Sequence, residues 1–160
     1  MKFHLLAIGH RMPDWVAAGF DEYARRMPGD KPLVLREIKP QGRPAGYAST
    51  AAIARIMQNE AARLRAALPD AAYVVALDER GKTLTTVQWA QRVNDWLQGG
   101  RDVAFVIGGA DGLEPAFKSS ADMLLSLSSM TLPHQLVRIV LAEQLYRAFC
   151  VLSNHPYHRV

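Results

Sequence analysis

The sequence predicts an α/β domain built on a mostly parallel sheet, and three observations carry that expectation. Short apolar runs of strand length recur along the chain, each followed by a segment whose apolar residues repeat at helical spacing. Runs such as Val103 to Ile107 are apolar throughout rather than alternating, as strands covered by helices on both faces must be. The chain has 160 residues, 49% hydrophobic and 21% charged, enough for one self-supporting core. No linker, internal repeat or low-complexity stretch divides it, so residues 1–160 are expected to form a single domain.

Phe3 to Gly9 reads as a first buried strand, after which Pro13 suits a helix start and Val16, Phe20, Tyr23 and Met27 recur at helical spacing. Leu33 to Ile38 is a second strand. Pro40, Gly42, Pro44 and Gly46 punctuate the loop that follows it, and a helix begins near Thr50 with the stripe Ile53, Met57, Ala61, Leu64 and Leu68. Ala72 to Leu77 is a third strand. Thr85 followed by Gln88 matches a capping box, opening a helix with Trp89, Val93, Trp96 and Leu97 on one face, which Gly99 and Gly100 end. Val103 to Ile107 and Met123 to Leu127 supply a fourth and a fifth strand.

The final helix, His134 to about Ser153, departs from the amphipathic pattern. Leu136, Ile139, Val140, Leu141, Leu145, Tyr146, Phe149 and Val151 put apolar groups on nearly every side, leaving Arg138, Glu143, Gln144 and Arg147 as its strongly polar interior positions. A helix apolar all round must be covered all round. The sheet covers one side, and a symmetric second copy of the chain covers the other most economically, giving a homodimer; a central place within a monomer is the alternative.

Composition excludes several classes. The longest apolar run, Ala71 to Leu77, has seven residues against roughly 20 for a membrane span. Phe3 to Ile8 is interrupted by His4 and stopped by Gly9, His10 and Arg11, unlike a signal peptide, so a cytoplasmic protein with no membrane partner is expected. Cys150 is the single cysteine, which excludes an intramolecular disulfide or a cysteine-rich zinc site. His155 and His158 flank Pro156 with no cysteine or carboxylate cluster beside them, so no metal is expected. No G-x-G-x-x-G, G-x-x-x-x-G-K-[ST] or G-x-S-x-G occurs. Net charge is +4, but Arg25 to Arg65 alone holds nine basic and three acidic residues. Both a solvated surface and a nucleic-acid surface fit that excess.

Ligands of open α/β sheets bind at the carboxyl ends of strands, where the segments Leu77 to Lys82, Ile107 to Gly112 and Ser126 to His134 fall. Their glycines permit sharp turns, and the last offers small hydroxyls and backbone groups that suit a purine better than a phosphate. After the final helix, Asn154 to Arg159 packs two imidazoles, a phenol and a guanidinium into six positions. Such a tail suits base stacking, phosphate contact and proton transfer, or is a frayed terminus.

With these segments side by side, the sequence resembles the small bacterial ribosomal large-subunit methyltransferase family that modifies a pseudouridine of 23S ribosomal RNA at ring nitrogen N3, within the knotted SPOUT superfamily. The resemblance runs from Ile8-Gly9-His10-Arg11-Met12-Pro13-Asp14-Trp15, through Leu77 to Lys82, Ile107-Gly108-Gly109 and Leu127 to His134, to His155-Pro156-Tyr157-His158-Arg159. It implies S-adenosylmethionine as cofactor, a homodimer, a C-terminal trefoil knot in the α/β fold, and an RNA substrate within the assembled ribosome. Carried over residue by residue, Leu77, Gly108, Leu127, Ser128, Ser129, Met130, Thr131 and Leu132 would line the cofactor site. The nucleophile would be an imide nitrogen that must lose its proton. His158 is the first candidate base, with Arg159 stabilising the ring carbonyls and Tyr157 stacking or hydrogen-bonding; His134 is the second. The loop Gln41 to Ser49 departs from relatives by carrying only Arg43 where several lysines are common. A knotted methyltransferase of transfer RNA and a non-catalytic ribosome-binding domain are the rival readings.

Overall fold

The computed structural model describes residues 1–46 and 48–159. Each apolar run becomes a strand: β1 (Phe3–Ile8), β2 (Leu33–Ile38), β3 (Tyr73–Thr83), β4 (Val103–Ile107) and β5 (Met123–Ser126). Between and after them lie α1 (Asp14–Ala24), α2 (Thr50–Ala67), α3 (Thr86–Gly99), α4 (Pro115–Ser120) and α5 (His134–Leu152). The five strands form one sheet in the order β2-β1-β4-β3-β5, every neighbouring pair parallel. Central β4 is buried at every position, which is why its sequence carries no polar alternation.

Two apolar layers sandwich the sheet. On one face Phe3, Leu5, Phe105 and Leu125 pack with Phe20 of α1, Trp89 and Val93 of α3, and Leu141 and Leu145 of α5. On the other, Leu6, Ile8 and Val106 pack with Leu64 of α2 and Phe117 of α4. The predicted capping box of α3 forms in full: the Gln88 amide donates to the Thr85 hydroxyl at 3.2 Å and the Thr85 amide to the Gln88 side chain at 3.0 Å.

Local details depart from the sequence expectations. α1 ends at Ala24, so Met27 is buried from the turn beyond it. The buried row of α2 is Ile56, Glu60, Ala61, Leu64 and Ala67, rotated from the expected stripe because a carboxylate takes a core-facing place. α4 has only six residues, too few for a period to show; Pro115 at its start and buried Phe117 are its sequence marks. β3 does not stop at Leu77. Leu77 and Lys82 both oppose Leu125, so Asp78 to Gly81 bulge out of the ladder before pairing resumes. Gly81 makes the bulge possible, since a Cβ there would lie 2.5 Å from the Leu125 carbonyl carbon.

α5 lies between α1 and α3 over the centre of the sheet, so much of its apolar surface is covered within the chain. Leu141, Leu145 and Ala148 are fully buried there. The outward row is Leu136, Val140, Glu143 and Arg147, with Leu136 39% exposed.

Candidate functional site

The carboxyl ends of β3, β4 and β5 open into a cleft of about 650 Å³. Leu77, Ile107, Leu127 and Leu132 give it apolar walls; Asp78, Glu79, Asp111, Arg80 and Lys118 bring charge to it. Of the residues expected around a cofactor, Leu77, Gly108, Leu127, Ser128, Met130, Thr131 and Leu132 line the cleft, whereas Ser129 does not. The last loop is organised from within. The Ser126 hydroxyl donates to the Ser128 carbonyl at 2.7 Å, the Met130 amide donates to the Ser128 hydroxyl at 2.9 Å, and the Thr131 hydroxyl donates to Glu79 at 3.1 Å, tying the loop to the β3 bulge.

The glycine at 108 serves the sharp turn: a Cβ there would lie 2.6 Å from the Gly112 carbonyl carbon and 2.7 Å from the Leu113 nitrogen, so only a glycine lets the chain pass this close to itself. Glu60 underlies the same turn. Its carboxylate is 5% exposed and accepts from the Gln41 amide at 3.1 Å. Burial raises its pKa above the ordinary carboxylate value, with nearby Asp111 adding to the effect. Arg43 spans from the loop after β2 to Asp111 with two hydrogen bonds, 2.6 and 3.1 Å, which pin that loop to the cleft rim. Lys118 pairs with Asp78 at 3.2 Å, and that pairing, together with the Arg80 amide, outweighs desolvation and lowers the Asp78 pKa.

His134 opens α5 at the mouth of this cleft. Its Nε2 accepts from Arg138 Nε at 3.0 Å. Burial, then the Arg138 charge, pushes its pKa down to about 4. With that nitrogen facing a donor and its basicity lowered, the ring is a weaker proton acceptor than an ordinary imidazole.

The expected tail cluster sits elsewhere. Beyond α5 the chain turns back on the helix, and the Tyr157 hydroxyl donates to Glu143 at 2.9 Å. Burial, reinforced by this carboxylate, raises the Tyr157 pKa and keeps it a phenol. Arg147 pairs with the same carboxylate and lies 4.9 Å from the centre of the Tyr157 ring. A guanidinium only donates, so the His158 Nδ1 accepts from Arg147, across a long 3.3 Å. Arg159 is exposed, its Nε 3.4 Å from the Pro156 carbonyl. Sequence inspection missed Glu143 and Arg147 as parts of this cluster; their i, i+4 spacing on an apolar helix was the available signal. At about 1.5 Å of rise per residue, Arg147 stands about 20 Å along α5 from His134. One chain therefore holds a cleft at one end of α5 and a polar cluster at the other.

Among the described residues no helix is long and apolar enough to cross a membrane, and no group of three or more His, Cys, Asp or Glu is placed to hold a metal ion.

Comparison with known proteins bears on this arrangement. A family model described as predicted SPOUT methyltransferase matches residues 1–158. Two proteins called ribosomal RNA large subunit methyltransferase H, from Paraburkholderia phymatum and Paraburkholderia xenovorans, are 58% and 59% identical over 160 residues, covering all of this chain and all of each relative. A solved structure of a probable methylase family protein from Haemophilus influenzae shares the fold, with a TM-score of 0.55 at 14% identity, covering 99% of this chain and 70% of that one. Matched along almost its whole length by the family model and end to end by these relatives, this chain belongs to the SPOUT methyltransferase family.

Proposed function

We propose that the chain methylates N3 of a pseudouridine in 23S ribosomal RNA on the assembled ribosome, in the cytoplasm, using S-adenosylmethionine at a site shared by two copies of the chain. The observation that carries the shared site is the separation along α5. Pairing two α5 helices antiparallel about a two-fold axis brings the polar cluster of one chain to the cleft of the other, with Leu136 and Val140 in the contact. The names of the relatives support ribosomal RNA as substrate over transfer RNA and catalysis over simple ribosome binding.

The cleft fits the cofactor by its chemistry. Its volume is in the usual range for small-molecule sites, its apolar walls suit a flat base, and its carboxylates suit hydroxyls and positive charge. Leu77, Gly108, Leu127, Ser128, Met130, Thr131 and Leu132 would hold it. When bound, S-adenosylmethionine supplies an activated sulfonium methyl for in-line displacement. The chain's own residues orient the two reactants, which is worth about 7–11 kcal/mol when alignment is good. Tyr157 stacks on or hydrogen-bonds the base. Arg159 stabilises negative charge on the ring carbonyls flanking N3, and His158 takes the imide proton once its long contact to Arg147 is released. We also infer from its membership in the SPOUT family that the chain is knotted, with α5 and the tail as the threaded part.

Nucleoside mass spectrometry of ribosomal RNA from cells with and without the protein tests the reading. A methylpseudouridine that disappears with the gene supports it; an unchanged nucleoside profile overturns it.

A further inference from the structure

Arg138 is the largest fully buried side chain among the described residues, 1% exposed, and all of its nitrogens are engaged. Its Nη1 pairs with Glu37 at the end of β2 at 2.8 Å. Its Nη2 donates to the Gly9 carbonyl at 3.1 Å, at the turn where Arg11 adopts a positive φ of 56°. Its Nε donates to His134 Nε2 at 3.0 Å. A buried guanidinium is costly unless fully satisfied, and here every arm is spent on a different segment.

We propose that Arg138 is a positioning residue that fixes His134 at the mouth of the cleft as a neutral imidazole with its proton on Nδ1. An arginine only donates, so the Nε2 it touches must be the lone-pair nitrogen, and the remaining proton resides on Nδ1. The cleft thus gains a neutral ring with a defined tautomer instead of a second positive charge. That matters for a cofactor with a cationic sulfur, since the Arg138 charge is already offset by Glu37. The same side chain holds the Gly9 to Arg11 turn against the ring: a Cβ at Gly9 would lie 3.4 Å from both Arg138 Nη2 and His134 Cε1. The charges facing the ring are Arg138 on its own helix and Glu37 on β2; Asp78, Glu79, Arg80, Asp111 and Lys118 line the cleft it borders.

The consequence for methyl transfer rests on the cleft being the cofactor site; the state of the ring does not. Nitrogen-15 spectra of the full-length protein, with His134 assigned by its loss in His134→Gln, read the ring directly. The expected result is an Nδ1–H tautomer, no titration between about pH 5 and 8, and a scalar coupling between Arg138 Nε and His134 Nε2 across the hydrogen bond. In Arg138→Lys, the coupling disappears with the Nε and the ring loses its fixed Nδ1–H tautomer, while burial still holds its pKa below the ordinary value. Single-turnover transfer on ribosomes falls about tenfold, the equivalent of one lost charge-assisted hydrogen bond, while S-adenosylmethionine affinity changes by less than about threefold. An Nε2–H tautomer or ordinary titration in the wild-type protein overturns the proposal without any variant. A folded Arg138→Lys whose ring is unchanged overturns it as well. Loss of the ring signature with no methyl transfer by any form of the protein would instead leave the Arg138 assignment standing and refute the proposed reaction.

Discussion

Glu143 is where the tail is latched, and removing it tests the shared site most directly. Its Oε1 accepts from the Tyr157 hydroxyl at 2.9 Å and from the Arg147 guanidinium, while its Oε2 accepts from the Gln144 side-chain Nε2 at 2.7 Å. Glu143→Ala removes one charge-assisted bond to the tail and leaves Arg147 without its partner. Such bonds are worth about 1.5–3 kcal/mol. Because the Arg147 and Glu143 side chains are 26% and 16% exposed, solvent screens part of this. The lower end applies, about 1.5 kcal/mol, or roughly a tenfold loss in the ratio of docked to undocked tail. Arg147 still lies over the Tyr157 ring, so docking weakens without vanishing. Hydrogen exchange at the Tyr157 and His158 amides should rise about tenfold with α5 unaffected. The Tyr157 phenol should titrate nearer its ordinary value, and single-turnover methyl transfer should drop while S-adenosylmethionine binding holds. Glu143→Gln, which keeps an acceptor but not the charge, should fall between. Unchanged exchange and unchanged transfer in a folded Glu143→Ala would refute the idea that this carboxylate sets the tail for chemistry.

Deleting the last four residues should leave cofactor affinity nearly intact and suppress methyl transfer; His158→Gln, which hydrogen-bonds but takes no proton near neutral pH, should lose about 10²- to 10⁴-fold in single-turnover rate if His158 is the base. Val140→Arg on the outward row of α5 should give a folded monomer by sedimentation that binds cofactor without transferring methyl, whereas charge at Leu141 or Leu145 should unfold the chain, both being fully buried within it. Gly108→Val should lower the melting temperature as well as cofactor affinity, because its Cβ meets the Gly112 and Leu113 backbone. Glu60 has a raised pKa in the folded chain, so the folded state binds the proton more tightly and stability falls as pH rises from the unfolded value through the folded one. Glu60→Gln should therefore raise thermal stability at pH 8, with the gain shrinking toward pH 4.

Apart from the six-residue α4, strand and helix order were legible in the sequence because both rest on local periodicity. Val103 to Ile107 is apolar throughout since helices cover both its faces, and Thr85 with Gln88 builds a cap from residues three apart, with no help from the rest of the chain. Leu77, Gly108 and the Leu127 to Leu132 loop were identifiable as neighbours from the parallel alternation, which places successive strand ends at one edge. Tertiary structure decided what depends on approaches between distant segments. The β3 bulge exists because Leu125 passes within contact of Gly81, and α2 turns Glu60 inward because the Gln41 amide waits there. That the His134 Nε2 faces Arg138, itself tied to Glu37 across 101 positions of sequence, was decided by packing as well. The distance between cleft and tail along α5 was likewise invisible, because sequence records which groups a helix carries and only packing decides which of them a single chain can bring together.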